Sequence, residues 1–432
     1  MVDFPGKETI ESMKKAAFSL VKWVALSAAA GVVAGLIMSG FASLIAIVTE
    51  FRLAHMWMLL LLPAAGCLIV FLYRAAGHET DHGTNMVIEA VREDAPMPYE
   101  QGILVLTATV LTHAFGGSTG REGAALQLGG SAAAVGAGLL HLNERDKKLL
   151  LMAGMSAAFA ALFGTPLAAS VLPLEFVTVG EMFYPALVPC VLASFTAHAV
   201  AVKLGTAHLA APYAVAAVPS LYSTAMLKAL VLGIGSALAA VLFINALHIT
   251  DSYFDRWFKG RPYIRVMAGG ALVAALACAL GTQDYCGLSS QLIHDSFAGN
   301  AAPYAFLLKI LFTCFTLEAG FKGGEIVPSF VIGASLGCLL SGFLSLPADV
   351  CCAAGMCGVF CAITNSPICS LLIALELFGP EGMGYYAVSI AIAYSMSGYY
   401  GVFGAQRIRF SKTGTEAVDV KAGDLFKKHH ES

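Results

Sequence analysis

Long stretches of this chain carry no Asp, Glu, Lys or Arg, among them Trp23–Thr49, Leu53–Tyr73, Leu149–Leu174, Met182–Val202, Ala229–Thr250, Ile326–Ala348, Val350–Leu375 and Gly382–Gln406. Each reaches or exceeds the roughly 20 residues that a helix needs to cross a bilayer. The whole chain is 58% apolar and only 12% charged, where about a quarter is usual for a soluble domain. In hydrocarbon every backbone polar group must be satisfied within the protein, so such segments fold as helices. The expectation is an all-α, polytopic membrane protein with about ten or more membrane helices, tilted and re-entrant pieces included.

The ends and the composition narrow the function. Lys7, Lys14, Lys15 and Lys22 stand among acidic and apolar residues. They suit a cytoplasmic lead-in (residues 1–15) rather than a cleaved signal. Residues 407–432 read as a polar cytoplasmic tail, with Lys427, Lys428, His429 and His430, too short for a second folded domain. No basic patch interleaved with aromatics points to nucleic acid, and the net charge of −3 says little about partners. The cysteines lie mostly in apolar stretches without metal-ligand spacing. No cofactor and no metal are expected. An embedded enzyme would need a nucleophile–base set or metal ligands, and the spans show neither.

Against this background Gly120-Arg121-Glu122-Gly123 stands out. No Asp, Glu, Lys or Arg occurs in Gln101–Gly120 or in Gly123–Asn143. An isolated intramembrane ion pair is costly and usually lines an ion or substrate path.

The chain also repeats itself. Ala153-Gly154-Met155 recurs as Ala354-Gly355-Met356, 201 residues later, with Phe159, Ala161, Pro166 and Glu175 in register with Phe360, Ala362, Pro367 and Glu376. Gly120, Gly129 and Ser131 find counterparts in Gly324, Gly333 and Ser335. The division is residues 16–205 as a first transmembrane repeat, 206–222 as a linker and 223–406 as a second repeat. Duplicated halves mark transporters whose site lies at the repeat interface, built from discontinuous helices aimed at the ion. The matching breaks are Gly116–Gly123 and Gly320–Pro328. Helix starts of this kind favour negative charge, which makes a small anion the expected cargo.

These residues resemble the CLC family of chloride channels and anion/proton antiporters over nearly the whole chain. The resemblance implies two inverted-topology halves and a homodimer with one anion pathway per subunit. It also implies that Glu122 is the gating, proton-coupling glutamate, whose carboxylate occupies an anion site and leaves when protonated. Several positions depart from the chloride-type pattern. The first loop reads Gly83-Thr84-Asn85-Met86 instead of Gly-Ser-Gly-x-Pro. Ala124 stands where many members have Pro. Glu325 lies in the second loop, and Phe176 occupies the place of the internal proton-transfer glutamate. The pattern is similar to the bacterial fluoride/proton antiporter branch, which implies a protein of the bacterial inner membrane exporting fluoride against protons.

The anion-binding candidates are Asn85, Met86, Gly120, Arg121, Gly123, Ala124, Ile326, Val327 and Tyr399, with Glu325 on a proton path. Tyr400 and Phe403 compete with Tyr399 for the same role. Arg121 reads as structural, binding carbonyls or an acid, ahead of anion-binding, and His113 as a hydrogen-bonded packing residue. Glu175 and Glu376 are expected to hold helix ends together. A chloride channel or chloride/proton exchanger of the same fold is the alternative.

Overall fold

Two of the long charge-free runs are each broken at one matched point, and the break sets the architecture. Leu149–Leu174 divides where Gly164 turns left-handed at φ 80°, and Val350–Leu375 divides where Asn365 does so at φ 60°. The next residues, Thr165 and Ser366, have nearly the same backbone angles: φ −119°, ψ 77° and φ −123°, ψ 73°. Pro166 and Pro367 then open the following helices, where their missing N–H is no loss.

The computed structural model describes residues 7–78, 83–207, 215, 218–219, 224–414 and 416–424. Most of the expected linker 206–222 lies outside the described residues, as do Lys427, Lys428, His429 and His430. The first half contains α1 (Lys7–Ala54), α2 (Leu62–Ala75), α3 (Asn85–Arg92), α4 (Tyr99–Ala114), α5 (Glu122–Leu139), α6 (Glu144–Phe163), α7 (Pro166–Phe176), the two-residue β1 (Thr178–Val179) and α8 (Leu187–Lys203). The second contains α9 (Thr224–Phe258), α10 (Pro262–Leu280), α11 (Ser290–Phe297), α12 (Ala305–Leu317), α13 (Ile326–Leu344), α14 (Ala348–Thr364), α15 (Pro367–Phe378) and α16 (Met383–Met396), followed by β2 (Arg407–Phe410) and β3 (Ala417–Lys421). Among the described residues each half thus has eight α-helices, with a long first helix, an eight-residue third helix and a proline-opened short seventh helix at matching places.

Among the described residues, six helical segments are long and apolar enough to cross a membrane, and α7, α12, α14 and α15 are shorter apolar helices. The expected count of spans is met only with these short pieces included, because the Gly/Asn–Pro breaks cut continuous apolar sequence into discontinuous helices. Small residues let the pieces pack closely. A Cβ on Gly129 would stand 2.4 Å from the Gly154 carbonyl oxygen, and one on Gly333 would stand 2.3 Å from that of Gly355. The α5–α6 contact is thereby repeated as α13–α14.

The two halves also exchange caps. The Glu175 carboxylate, near the end of α7, accepts the Ile368 and Cys369 N–H groups at 2.9 and 2.8 Å. Glu376, near the end of α15, accepts those of Leu167 and Ala168 at 2.8 and 2.9 Å. Each acid satisfies the orphan donors at the start of the other half's short helix, where the helix dipole favours negative charge.

The region read as a plain polar tail begins with structure. β2 pairs in parallel with β1 and antiparallel with β3, around the buried Val179, Ile408 and Ala422. A single buried isoleucine among charged neighbours gives little periodicity to read in sequence. Asp419 links Arg407 (2.5 and 2.6 Å) and Arg409 (3.0 Å) across this hairpin.

Replacing Glu376 with Ala strips two backbone donors of their charged acceptor. It is expected to lower stability by about 1–3 kcal/mol, read as a lower melting temperature in detergent, with Glu376→Gln losing less. The Arg407 and Arg409 guanidiniums hold the Asp419 carboxyl down at about 2. Because this value lies below the ordinary one, the contribution to hairpin docking is present at neutral pH. It is lost as pH falls from about 4 towards 2. Amide exchange at Ile408 and Val420 should accelerate over that window in the native chain, and already at neutral pH in Asp419→Asn.

Candidate functional site

The two glycine-rich breaks meet each other. The Gly120 N–H donates to the Gly324 carbonyl at 2.7 Å, and the Gly324 N–H donates back to Gly120 at 2.9 Å. Thr119 Oγ1 adds a donor to the same Gly324 oxygen at 3.1 Å. Helices α5 and α13 each begin two residues beyond this bridge. A methyl at Gly120 would stand 2.9 Å from Glu122 Oε2 and 3.1 Å from the Val327 nitrogen. The start of α13 and the Glu122 carboxylate therefore flank one point. A third helix start adjoins it, because Thr84, just before α3, has its Oγ1 3.0 Å from where a Cβ on Gly123 would be.

The first turns of α5 and α13 leave backbone donors over. No acceptor is recorded among the described residues for the N–H groups of Gly123, Ala124, Ile326 and Val327, as first-turn geometry requires. Glu122 is fully buried. Its Oε2 accepts the Arg121 N–H at 3.0 Å. Its Oε1 has no hydrogen-bond partner among the described residues, and neither does Arg121 Nε, 3.7 Å from it. Beside the carboxylate lies a cavity of about 30 Å³ whose lining includes Phe163, Leu288, Ser290, Val327 and Phe330. That is room for one water or one small ion.

Aromatic rings bound this space. Phe163 and Phe330 stack with centroids 5.2 Å apart, Phe159 follows Phe163 at 5.1 Å and Phe360 follows Phe330 at 5.0 Å. The ladder takes two rings from each half.

The remaining sequence candidates fall in different places. Asn85 and Met86 open α3, and Asn85 Oδ1 accepts the Ala405 N–H at 3.0 Å. That bond commits the amide oxygen and leaves the Nδ2 donors. Gly120, Arg121, Gly123, Ala124, Ile326 and Val327 converge as described. Glu325 is the N-cap residue of α13, half-buried, and within electrostatic reach of Glu318. Tyr399 packs instead against the small sheet's cluster of Val179, Ile408 and Ala422. Tyr400 packs against a cluster of α9, α12, α13, α14 and α16 side chains. Phe403 is buried with its ring edge-on to Phe176, 4.7 Å away. None of these three aromatics lines the cavity beside Glu122.

His113 Nδ1 bonds the Thr109 carbonyl at 2.8 Å, while its Nε2 has no partner among the described residues. Two buried cations close by are absent from the sequence reading: Arg52, which donates to Gln283 Oε1 at 2.6 Å, and Lys309. Lys309 was visible by the same criterion as Arg121–Glu122, since it is the lone Asp, Glu, Lys or Arg between Asp295 and Glu318.

Comparison with known proteins agrees with this geometry. The family profile described as voltage gated chloride channel matches residues 65–398. A chloride/fluoride channel protein of Pseudomonas syringae pv. tomato is 36% identical over 400 residues, covering 91% of this chain and 88% of that one. The crystal structure of a CLC-type fluoride/proton antiporter superposes with a TM-score of 0.86 at 32% identity, covering 90% of this chain and 98% of that one. A slow cyanobacterial Cl⁻/H⁺ antiporter shares the fold at a TM-score of 0.78 and 16% identity, over 95% of this chain and 98% of that one.

A methyl group on Gly324 would lie 2.7 Å from the Gly123 nitrogen and 3.0 Å from its Cα, backbone against backbone. Gly324→Ala must therefore part the two helix starts. The expected outcome is a fall in anion flux from liposomes of at least about tenfold, with the dispersed protein still eluting as a single species.

Proposed function

Since the chain belongs to the CLC family of voltage-gated chloride channels and anion/proton antiporters, we propose that it exports fluoride in exchange for protons, with Glu122 as the coupling group. The observation that carries this reading is the Glu122 carboxylate itself. It is fully buried, with one oxygen that accepts no hydrogen bond among the described residues, beside a cavity of about 30 Å³ and N–H groups of two helix starts that have no acceptor among those residues.

In the proposed cycle the ionised carboxylate occupies the place that the anion would take. Protonation removes its charge-assisted hydrogen bonds, and the side chain withdraws with its proton. Fluoride then takes the Arg121 N–H that the carboxylate releases and the neighbouring donors of Gly123, Ala124, Ile326 and Val327. When the proton leaves on the other side, the carboxylate returns and the anion is displaced. One group thus binds either a proton or a place among the donors, so the two ions move in opposite directions.

Fluoride is small and strongly hydrated, and its site must replace water with close donors. Backbone N–H groups in a space this narrow do so, with the Asn85 amide supplying more. Met86 shapes the path without bonding the ion. Arg121 keeps the positive charge beside Glu122. Glu325 serves the proton path. The place of an internal proton-transfer glutamate is taken by Phe176, which is buried, meets Phe403 edge-on and receives Gln406 Nε2 on its carbonyl at 2.8 Å. With that position apolar, Glu122 has to reach both sides itself. The setting we propose is a bacterial inner membrane, with two copies of the chain paired and each holding its own path.

Reconstitution in liposomes tests the reading. Fluoride efflux should drive protons inward with little chloride flux, and Glu122→Gln or Glu122→Ala should abolish the proton movement. Chloride efflux without proton movement would instead identify a channel.

A further inference from the structure

Lys309 is a fully buried ammonium on α12 with no carboxylate among the partners of its hydrogen bonds. Such a group is expensive in hydrocarbon unless it is fully hydrogen-bonded or lines a path. It donates to Ser118 Oγ at 2.9 Å, to Ser289 Oγ at 2.8 Å, and to the carbonyls of Gly287 and Tyr285 at 2.9 and 3.3 Å. These acceptors lie on two separate segments. Ser118 belongs to the glycine-rich run that leads into Gly120 and Glu122. Gly287 and Ser289 alternate along the chain with Leu288 and Ser290, which line the cavity beside Glu122. Ser289, one of the residues Lys309 bonds, is left-handed at φ 55°, a conformation uncommon for a non-glycine residue.

Helix α12 grips Ser118 at three points. Besides Lys309, Thr313 Oγ1 meets Ser118 Oγ at 3.1 Å and Thr316 Oγ1 accepts the Ser118 N–H at 2.9 Å. Positions 309, 313 and 316 follow the i, i+4, i+7 spacing of one helix face. A face of the second half is thus devoted to one serine of the first. The backbone bond from Gly287 N–H to the Gly117 carbonyl, 3.1 Å, closes the circuit between the two segments.

We propose that Lys309 is a positioning residue for the gate. It fixes the Ser118–Gly120 run against the Gly287–Ser290 segment, and so sets the depth at which the Glu122 carboxylate sits among its donors. The inference rests on the reading of Glu122 as the coupling group. Its consequence is that the coupling between anion and proton, and not only the rate, depends on a residue that touches neither ion.

The test compares the full-length protein with Lys309→Met and Thr316→Val in liposomes, following fluoride, chloride and proton fluxes together. Lys309→Met should lower anion turnover by about tenfold to a hundredfold, the scale of a 1 Å misplacement, and should lower the protons moved per anion. Thr316→Val keeps every charge and removes the acceptor for the Ser118 N–H, along with the hydroxyl's own bond to the Phe312 carbonyl within α12. It should change the ratio in the same direction by less. If both fluxes fall in proportion at an unchanged ratio, Lys309 only supports the fold and the proposal is overturned. If Lys309→Met uncouples while Thr316→Val behaves as the native chain, its charge acts directly and positioning is refuted. Should the native protein move anions without protons, the antiport reading fails by itself. The decision on Lys309 then lies in the pH profile of anion flux, which Lys309→Met must displace by a unit or more if it positions Glu122, and leave in place if it does not.

Discussion

The reciprocal backbone pair between Gly120 and Gly324 is the constraint on which the rest of the site depends. It brings two helix starts from opposite halves to one point, and both carry partial positive charge in their first turns. Such an arrangement repels itself unless something negative stands there. The carboxylate of Glu122 does, on the first residue of the helix it belongs to. Glycine is needed on both sides of the bridge because nothing larger lets the two backbones come this close.

The same economy appears elsewhere in the bilayer-buried part of the chain. Glu175 and Glu376 give both of their oxygens to backbone donors. Glu122 gives one and keeps one. The first two acids are therefore fastened in place, whereas the third retains an unused acceptor beside an open volume. Chemically the three side chains are identical, and the number of donors presented to each separates a structural acid from one free to exchange its partner.

How much of this could be read from the sequence depends on how local each feature is. The helices, the duplication and the two glycine-rich breaks are written in contiguous residues, and Pro166 and Pro367 mark the matched interruptions directly. The pairing of Glu175 and Glu376 with each other's half was legible in outline, from their equivalent positions. The aromatic residues near the C-terminal end were not: Tyr399, Tyr400 and Phe403 are four residues apart at most, and only the course of the chain after α16 decides which way each ring faces. Lys309 was legible as a lone cation in apolar sequence, but its partners, like that of Arg52, were not. These are uncharged oxygens on distant segments, which leave no complementary charge in the sequence to be matched. The parallel ladder of the small sheet joins two residue pairs, Thr178 with Arg407 and Val179 with Ile408, more than two hundred positions apart.

The crossed caps of α7 and α15 bear on how such a chain is assembled. Until the second half is in place, Glu175 has no donors and the start of α7 has no acceptor, so the first half emerges from synthesis with an unsatisfied acid and a bare helix end in lipid. The vacancy and its filler are the same shape in both halves. A half-completed chain can therefore be relieved equally by its own second half or by the corresponding half of a neighbouring molecule, and the connection between the halves matters chiefly because it gives the correct partner the advantage of proximity.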